Sequence, residues 1–227
     1  MTSTLSHQRI VLARAIFCAL ILTSSFGSLA ASFDCAKAKS KNEKLICSDP
    51  ELSSLDEALS SAYRHAHEIA PDKSVVRQSQ RDWLGSYLVS SCDDAACLKP
   101  IFAQRVALLK EIAGEGEPAS QWTGTYLRYW RGKVDKNTAT ISILGLRTGR
   151  LYVSGSALWY GPQANIGQVN DGQMDGYTNP VSAANTANYR DEACSARLAL
   201  HGNLLEIKDE TGCGGLNVTF DGTYRRK

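Results

Sequence analysis

The placement of cysteine constrains this chain more than any other feature. The 227 residues include seven cysteines, and the six beyond residue 30 lie as three neighbouring pairs. Six cysteines allow many pairings, and the short separations favour one in which each cysteine bonds to its neighbour. The proposed disulfides are Cys35 with Cys47, Cys92 with Cys97, and Cys194 with Cys213. Such disulfides hold together small exported domains whose cores are too thin to be stable alone.

Residues 1–30 have the composition of a secretory signal peptide. Arg9 and Arg14 precede an apolar run, no acidic residue is present, and Ser28-Leu29-Ala30 provides a small-residue cleavage site. The apolar run is too short to span a bilayer, and no second run follows it. Cys35 also lacks the small apolar neighbours that a lipid-anchored cysteine requires. We therefore expect a soluble bacterial protein, periplasmic or secreted, with no membrane span or lipid anchor.

The charge distribution argues against a nucleic-acid partner. After removal of residues 1–30 the chain is formally neutral, with 11 basic and 14 acidic residues before Pro118, and 12 basic and 9 acidic after it. Neither half has the strong basic excess that neutralisation of a phosphate backbone requires. No nucleic acid is therefore expected among the partners.

Apolar residues recur at helical spacing in the first half of the mature chain. Asp49 and Pro50 form a helix start, with a capping side chain followed by proline at the first helical position. Three apolar stripes follow. They comprise Leu52, Leu55, Leu59, Ala62, Tyr63 and Ala66; then Val76, Trp83, Leu84, Tyr87 and Leu88; then Leu98, Ile101, Phe102, Arg105, Leu109 and Ile112. Residues 31–113 are therefore predicted to form a disulfide-tied helical hairpin or small bundle.

The apolar period changes from helical to alternating after a linker at residues 114–120, which is rich in glycine, proline and glutamate. About eight alternating segments fit into residues 121–227, and Gly202-Asn203 is typical of a tight hairpin. The predicted strands lie at Trp122–Trp130, Ile141–Ile143, Leu151–Val153, Gln173–Tyr177, Asn185–Tyr189, Ala196–Leu200, Leu205–Ile207 and Leu216–Phe220. The predicted class is α+β, a small helical domain followed by an antiparallel β-barrel or sandwich.

A set of cysteines, apolar residues and one Leu-Asp pair runs through residues 33–112. Its members are Cys35, Glu43, Cys47, Leu52, Leu55, Asp56, Leu59, Tyr63, Gln80, Trp83, Leu84, Cys92, Cys97, Arg105 and Leu109. This motif resembles the N-terminal domain of the LprI-like lysozyme inhibitor family of bacterial envelope proteins. The resemblance implies an exported protein that binds a lysozyme and keeps peptidoglycan intact.

The second half is only loosely similar to the small barrels of c-type lysozyme inhibitors. Those proteins carry a Ser-Gly-x-x-Tyr segment whose loop enters the lysozyme cleft. The nearest match here is Ser154-Gly155-Ser156-Ala157-Leu158-Trp159-Tyr160, in which the tyrosine is displaced. The resemblance implies that this segment is a loop and a candidate contact.

The titratable residues do not form a recognisable catalytic or metal-binding pattern. Asp56 and Glu57 are adjacent on a predicted helix, where neighbouring side chains point in different directions. We expect Asp56 to cap a helix or to pair with Arg81 or Arg105. No C-x-x-C, G-x-S-x-G, P-loop or H-E-x-x-H sequence is present. The sequence therefore predicts a protein that is not an enzyme and has no metal and no cofactor.

Two features of the second half leave alternatives open. Its aromatic residues either fill the barrel core or line an exposed surface for sugars or partners. They are Trp122, Tyr126, Tyr129, Trp130, Trp159 and Tyr160. Residues 161–184, rich in Gly, Asn and Gln, are predicted to form long loops at one barrel end, or a mobile solvated connection.

The leading hypothesis is an exported, non-enzymatic protein that inhibits a lysozyme or related muramidase by occluding its cleft. The acidic helical half would steer a basic lysozyme towards the inhibitor. The candidate contacts are Asp49, Glu51, Asp56 and Glu57, together with Ser154, Gly155, Ser156, Trp159 and Tyr160. The alternative is an envelope structural or ligand-binding module whose barrel holds a glycan or a small apolar molecule.

Overall fold

Helices and strands are segregated along the chain, as the alternation of periods predicts. A computed structural model describes residues 31–227, so the predicted signal peptide lies outside the described residues. All the α-helices described precede residue 111, and all the strands follow residue 123. The predicted α+β class, with an antiparallel barrel in the second half, is confirmed.

The helical half is built around two long helices that pack against each other. Each α-helix begins after a Ser or Asp whose side chain accepts a hydrogen bond from a first-turn backbone N–H, which satisfies donors that the helix itself leaves free. The helices are α1 (Lys41–Ser48), α2 (Pro50–Ile69), α3 (Lys73–Leu84), the single turn α4 (Tyr87–Ser90) and α5 (Ala95–Lys110). The core between α2 and α5 includes Leu52, Leu59, Ala66, Leu98, Phe102 and Leu109.

The helix boundaries correct the sequence-based prediction in two places. Helix α1 was not predicted, because its only buried residue is Ile46 and an apolar stripe is therefore absent. The predicted second helix is two helices, since the chain breaks at Gly85 and Ser86 caps α4 by accepting from the Val89 N–H. The start at Asp49 and Pro50 is confirmed.

Three disulfides lie within residues 31–227. They join Cys35 to Cys47, Cys92 to Cys97, and Cys194 to Cys213, as proposed from the spacing. The first fixes the start of the described chain to α1, and the second closes the corner before α5. The third joins Cys194, just before the strand that begins at Ser195, to Cys213, just after the strand that ends at Thr211. Such bonds are typical of a protein that folds in an oxidising compartment.

The second half is an almost closed antiparallel barrel. Its strands are β1 (Gly124–Trp130), β2 (Lys133–Val134), β3 (Ala139–Gly145), β4 (Leu151–Tyr160), β5 (Val169–Tyr177), β6 (Thr186–Arg190), β7 (Ser195–His201), β8 (Leu204–Thr211) and β9 (Gly222–Arg226). Their order is β5-β4-β3-β1-β9-β8-β7-β6, and β2 pairs with β1. A bridge between Thr178 and Tyr189 brings the two edge strands together. The tight hairpin at Gly202-Asn203 joins β7 to β8, as predicted.

Large side chains fill the barrel interior. Trp122, Tyr126, Tyr189, Phe220 and Tyr224 are fully buried there, among aliphatic residues of the inward-facing positions. The Tyr126 hydroxyl donates to the Trp122 carbonyl at 2.9 Å, and the Tyr224 hydroxyl donates to the Phe220 carbonyl at 2.6 Å. Small barrels have room for either side chains or one ligand. Here side chains occupy that room.

One expectation about the barrel is wrong. The alternating segment Leu216–Phe220 is a turn and an irregular stretch, with Leu216 78% exposed and Asn217 at a φ of 65°, and the strand follows it as β9. The apolar pattern is a poor guide to β9, because Tyr224 is the one fully buried residue of that strand. Within residues 161–184, the predicted strand at Gln173–Tyr177 is confirmed and is longer than expected, since β5 begins at Val169.

The helical half packs on the outside of the barrel. Leu144, Leu146 and Tyr152 point outward from β3, the turn after it and β4, and lie in or against the helical core. Backbone hydrogen bonds cross the junction from Ala113 to Gly145 and from Arg147 to Glu111, each at 2.8 Å. This packing holds α3 beside the outer face of the sheet, which creates the groove described below.

Candidate binding surfaces

A groove of about 850 Å³ lies between α3 and the outer face of β1, β3, β4 and β5. We call it the α3 groove. Two rungs of paired residues form its floor, one running across the strands as Thr125, Ser142, Ser154 and Asp175, the next as Leu127, Thr140, Ser156 and Gln173. Neighbouring strands lie about 4.8 Å apart, so each rung is a regular row of side chains. Seven of these eight side chains are polar, and most are short.

The carboxylates of the α3 groove are already engaged in hydrogen bonds. Asp72 caps α3 by accepting from the Ser74 N–H at 2.9 Å. Asp82 accepts from the Gln78 amide at 2.7 Å. Asp175 accepts from the hydroxyl of Tyr152, whose pKa is raised by burial and by the nearby carboxylate, so that it remains a donor.

The cations of the same groove are less engaged. Arg81 donates to the side-chain oxygen of Gln78. Arg77 and Lys227 are exposed, and within residues 31–227 their side chains make no ion pair. The groove therefore offers hydroxyls, amides and two free cations to a ligand.

A second surface lies at the barrel end away from the helices, where β1 and β4 finish and β5 begins. We call it the loop end. Large apolar side chains are exposed here, Trp130 at 65% and Ile166 at 75%. The other members of the apolar set are Val134, Tyr160, Val169 and Leu216. Arg131, Lys133 and Lys136 add three exposed cations in the turn after β1.

A buried arginine fixes the turn that carries these cations. Arg128 is 6% exposed, and its Nε donates to the Asp135 carboxylate at 3.0 Å. Its other nitrogens donate to the backbone carbonyls of Asn137 and Thr219. The guanidinium therefore links the start of the turn, its end and the segment before β9. A turn held in this way loses little freedom on binding.

The predicted contacts on α2 are not a free acidic patch. Lys99 lies 2.9 Å from the Asp49 carboxylate and 2.8 Å from that of Glu51. The backbone N–H of Leu52 and then Lys99 lower the pKa of Asp49, which caps α2. Glu57 is only partly exposed. One lysine thus offsets half of the negative charge of the two carboxylates at the start of α2.

Asp56 cannot act as a surface contact, because it is only 8% exposed. Its carboxylate accepts from the Ser32 N–H at 2.8 Å, so the expected pairing with Arg81 or Arg105 is wrong. Arg105 instead donates to Gln80 at 2.9 Å, and burial lowers its pKa. Asp56 therefore fixes the beginning of the described chain to α2.

The segment Ser154–Tyr160 is not a loop, as the resemblance implied, but the larger part of strand β4. Ser154 and Ser156 line the α3 groove. At Gly155 a side chain would point into the barrel, where its Cβ would lie 2.5 Å from Ile141. Trp159 and Tyr160 lie at the loop end, with Tyr160 41% exposed. Distance along the strand thus divides these predicted residues between two surfaces, with the serines in the middle of β4 and Trp159 and Tyr160 at its end.

The α2 carboxylates and the β4 residues do not form one continuous site. Helix α2 approaches the barrel at His65, whose ring lies 3.5 Å from Arg147. Asp49 precedes His65 by 16 residues, which corresponds to about 24 Å along a helix. The predicted contacts on α2 therefore lie far from the barrel.

Comparison with known proteins gives no relative: no family model, no curated protein and no solved structure matches this chain. Within residues 31–227, no group of three or more His, Cys, Asp or Glu side chains is placed to hold a metal ion. In the same part of the chain, no helix has the length and apolar character needed to cross a bilayer.

Sequence reasoning missed most residues of the α3 groove. Arg77, Thr140 and Lys227 come from three distant segments, and only the packing of α3 on the barrel brings them together. The outward positions of β3 and β4 were readable from the alternation of polar and apolar residues. Trp130 was among the aromatic candidates, and its exposure follows from its place at the last residue of β1.

Proposed function

We propose that this chain is an exported, non-enzymatic protein that inhibits a lysozyme or related muramidase by occluding its cleft. The observation that carries the proposal is the loop end, where exposed apolar side chains and three cations lie on a rigid turn. The resemblance of residues 33–112 to the LprI-like family supplies the class of target. The filled barrel interior counts against the alternative of a small apolar molecule held inside the barrel.

The chemistry of a muramidase cleft suits this surface. Glycosidases generally hold two carboxyl groups on either side of the bond that they cleave. Arg131 and Lys133 would pair with these carboxyl groups, and charge-assisted hydrogen bonds of this kind are strong. Trp130 would supply the large rigid contact that typically dominates an interface. Because Arg128 already holds the turn, little conformational entropy is lost on insertion.

Long-range electrostatics would assist the encounter with a basic lysozyme. Residues 31–117, which are the helical half and the start of the linker, have three more acidic than basic residues, 14 against 11. Since Asp49 and Glu51 share Lys99, the steering field comes from the whole half rather than from these two side chains. Such a field raises the association rate more than the final affinity.

The test is a cell-wall lysis assay with the mature chain and with variants at the loop end. We expect inhibition by the wild type and at least about tenfold weaker inhibition by Trp130→Ala, since removing a central aromatic commonly costs 2 kcal/mol or more. Lys133→Glu should weaken inhibition similarly. Tyr87→Ala and Lys44→Glu are matched controls, because both residues are exposed on the helical half. Equal inhibition by all four variants would contradict the role of the loop end.

A further inference from the structure

The outer face of the barrel differs sharply between its two sides. On β7 and β8, the outward positions include long charged side chains that pair with one another, Arg197 with Asp209 at 3.0 Å and Lys208 with Glu206 at 2.8 Å, beside the shorter Ser195 and Ala199. On β3 and β4, the corresponding outward positions are Thr140, Ser142, Ser154 and Ser156. The solvated face of an antiparallel sheet usually carries polar side chains. Short hydroxyls on this side leave the α3 groove open.

The geometry of the floor matches an extended chain of sugars. The two rungs cross four hydrogen-bonded strands, so polar groups recur about every 4.8 Å along the groove. Serine and threonine hydroxyls each donate and accept, as do the hydroxyls of a pyranose. Gln173 adds an amide that can bind an acylamino group, and Leu127 adds an apolar contact for the face of a ring.

The groove lining carries three carboxylates and three cations, so its preference for a ligand depends on which of these groups already have partners. Its three carboxylates, on Asp72, Asp82 and Asp175, are held by hydrogen bonds within the protein. Arg77 and Lys227 have no such partner among the residues described. A ligand carboxylate that reaches either cation would gain a charge-assisted hydrogen bond.

We propose that the α3 groove binds a glycan chain that bears carboxylates, of the kind that peptidoglycan presents. The hydroxyl rungs would hold the sugar backbone, and Arg77 and Lys227 would bind its acidic substituents. This site is separate from the loop end, and no residue is shared between them. It therefore does not depend on lysozyme inhibition, and it would place the protein on the polymer that a muramidase attacks.

Co-sedimentation of the mature chain with purified peptidoglycan sacculi tests this site. Arg77→Glu should weaken binding about tenfold or more, because a charge-assisted hydrogen bond is replaced by repulsion. Arg64→Glu is the matched control, since Arg64 is exposed on α2 and donates to the Ser60 hydroxyl. Ser154→Tyr should block the groove, with Ala199→Tyr as control on the outer face of β7. Circular dichroism melting curves establish that each variant is folded.

Two competitors identify the chemistry that is recognised. Chitin, a neutral acylated glycan, should retain less protein than sacculi at equal mass, because it has no carboxylates. Double-stranded DNA should not displace the protein from sacculi, since phosphate alone does not use the hydroxyl rungs. Displacement by DNA, or equal binding of sacculi by wild type, Arg77→Glu and Ser154→Tyr, would overturn the proposal. If Ser154→Tyr inhibits lysozyme as well as the wild type does, the two sites are independent. If the wild-type protein does not bind sacculi, the glycan site is wrong, while the proposed inhibition of lysozyme is unaffected.

Discussion

At the scale of single residues, buried polar groups determine the shape of both binding surfaces. Asp56 holds the Ser32 backbone against α2, and Arg105 donates to Gln80 and Ser79 while making no ion pair within residues 31–227. Arg128 joins Asp135 to two backbone carbonyls. Removing a buried charge of this kind is strongly destabilising, because its hydrogen-bond partners are left unsatisfied.

Arg128→Met should lower the free energy of unfolding by about 3 kcal/mol, because Asp135 and two carbonyls lose their donor in a partly buried site. Urea denaturation followed by tryptophan fluorescence measures this change. Arg225→Met is the control, since Arg225 is exposed and stacks 4.7 Å from the Tyr129 ring. That variant should change stability by less than about 1 kcal/mol. Equal losses in the two variants would contradict the anchoring role of Arg128.

At the scale of elements, caps and alternation decide where each helix and strand begins. The start of α2 was predictable because Asp49 and Pro50 are a local signal. Most strands of the barrel were predictable for the same reason, since one face of each is apolar. Helix α1 and strand β9 were missed, because one has a single buried residue and the other has Tyr224 as its only fully buried residue. Helix α1 nevertheless has a local start signal, the capping box of Ser40 and Glu43, whereas the position of β9 depends on tertiary contacts.

The cap of α2 makes stability depend on pH in a defined direction. The pKa of Asp49 is lowered in the folded state by the Leu52 N–H and then by Lys99. The stability that the ionised Asp49 carboxylate contributes is therefore complete above its unfolded-state pKa of about 3.9. It is lost as the pH falls through the lower pKa of the folded state. Asp49→Asn keeps a cap acceptor but removes the charge, so its melting temperature should be below that of the wild type at pH 7.

Thermal denaturation between pH 7 and pH 2 checks this prediction. The melting temperatures of the wild type and of Asp49→Asn should converge towards pH 2, where Asp49 is protonated in both the folded and the unfolded state. Asp94→Asn, at the cap of α5, serves as control because Asp94 makes no ion pair within residues 31–227. A difference for Asp49→Asn that is constant over the whole range would contradict the role of its charge.

At the scale of the whole molecule, the structure has two separate apolar cores that meet where the helices pack on the barrel, and disulfides lie in both halves. Each half has its own apolar cluster, and Leu144, Leu146 and Tyr152 carry the helical cluster onto the barrel. The two-part organisation was predictable from the change of period. The α3 groove was not, because it exists only where α3 lies over β1, β3, β4 and β5.

The disulfides should contribute unequally to stability, in the order of the loops that they close. Cys194–Cys213 spans 19 residues and Cys92–Cys97 spans 5. Loop-closure entropy then gives about 3 kcal/mol for the first and about 2 kcal/mol for the second. Paired Cys→Ser variants, compared by urea denaturation, measure the two losses. A larger loss at Cys92–Cys97 would contradict the entropic account.

The most direct test of the proposed function is competition for the muramidase cleft. The mature chain is titrated into a lysozyme that digests peptidoglycan, in the presence of increasing concentrations of a soluble chito-oligosaccharide. If the loop end occupies the cleft, lysis slows as the protein is added. The protein concentration that halves the rate of lysis then rises with the concentration of the oligosaccharide. Lysis at the full rate in a large molar excess of the protein would contradict the proposal, as would inhibition that the oligosaccharide leaves unchanged.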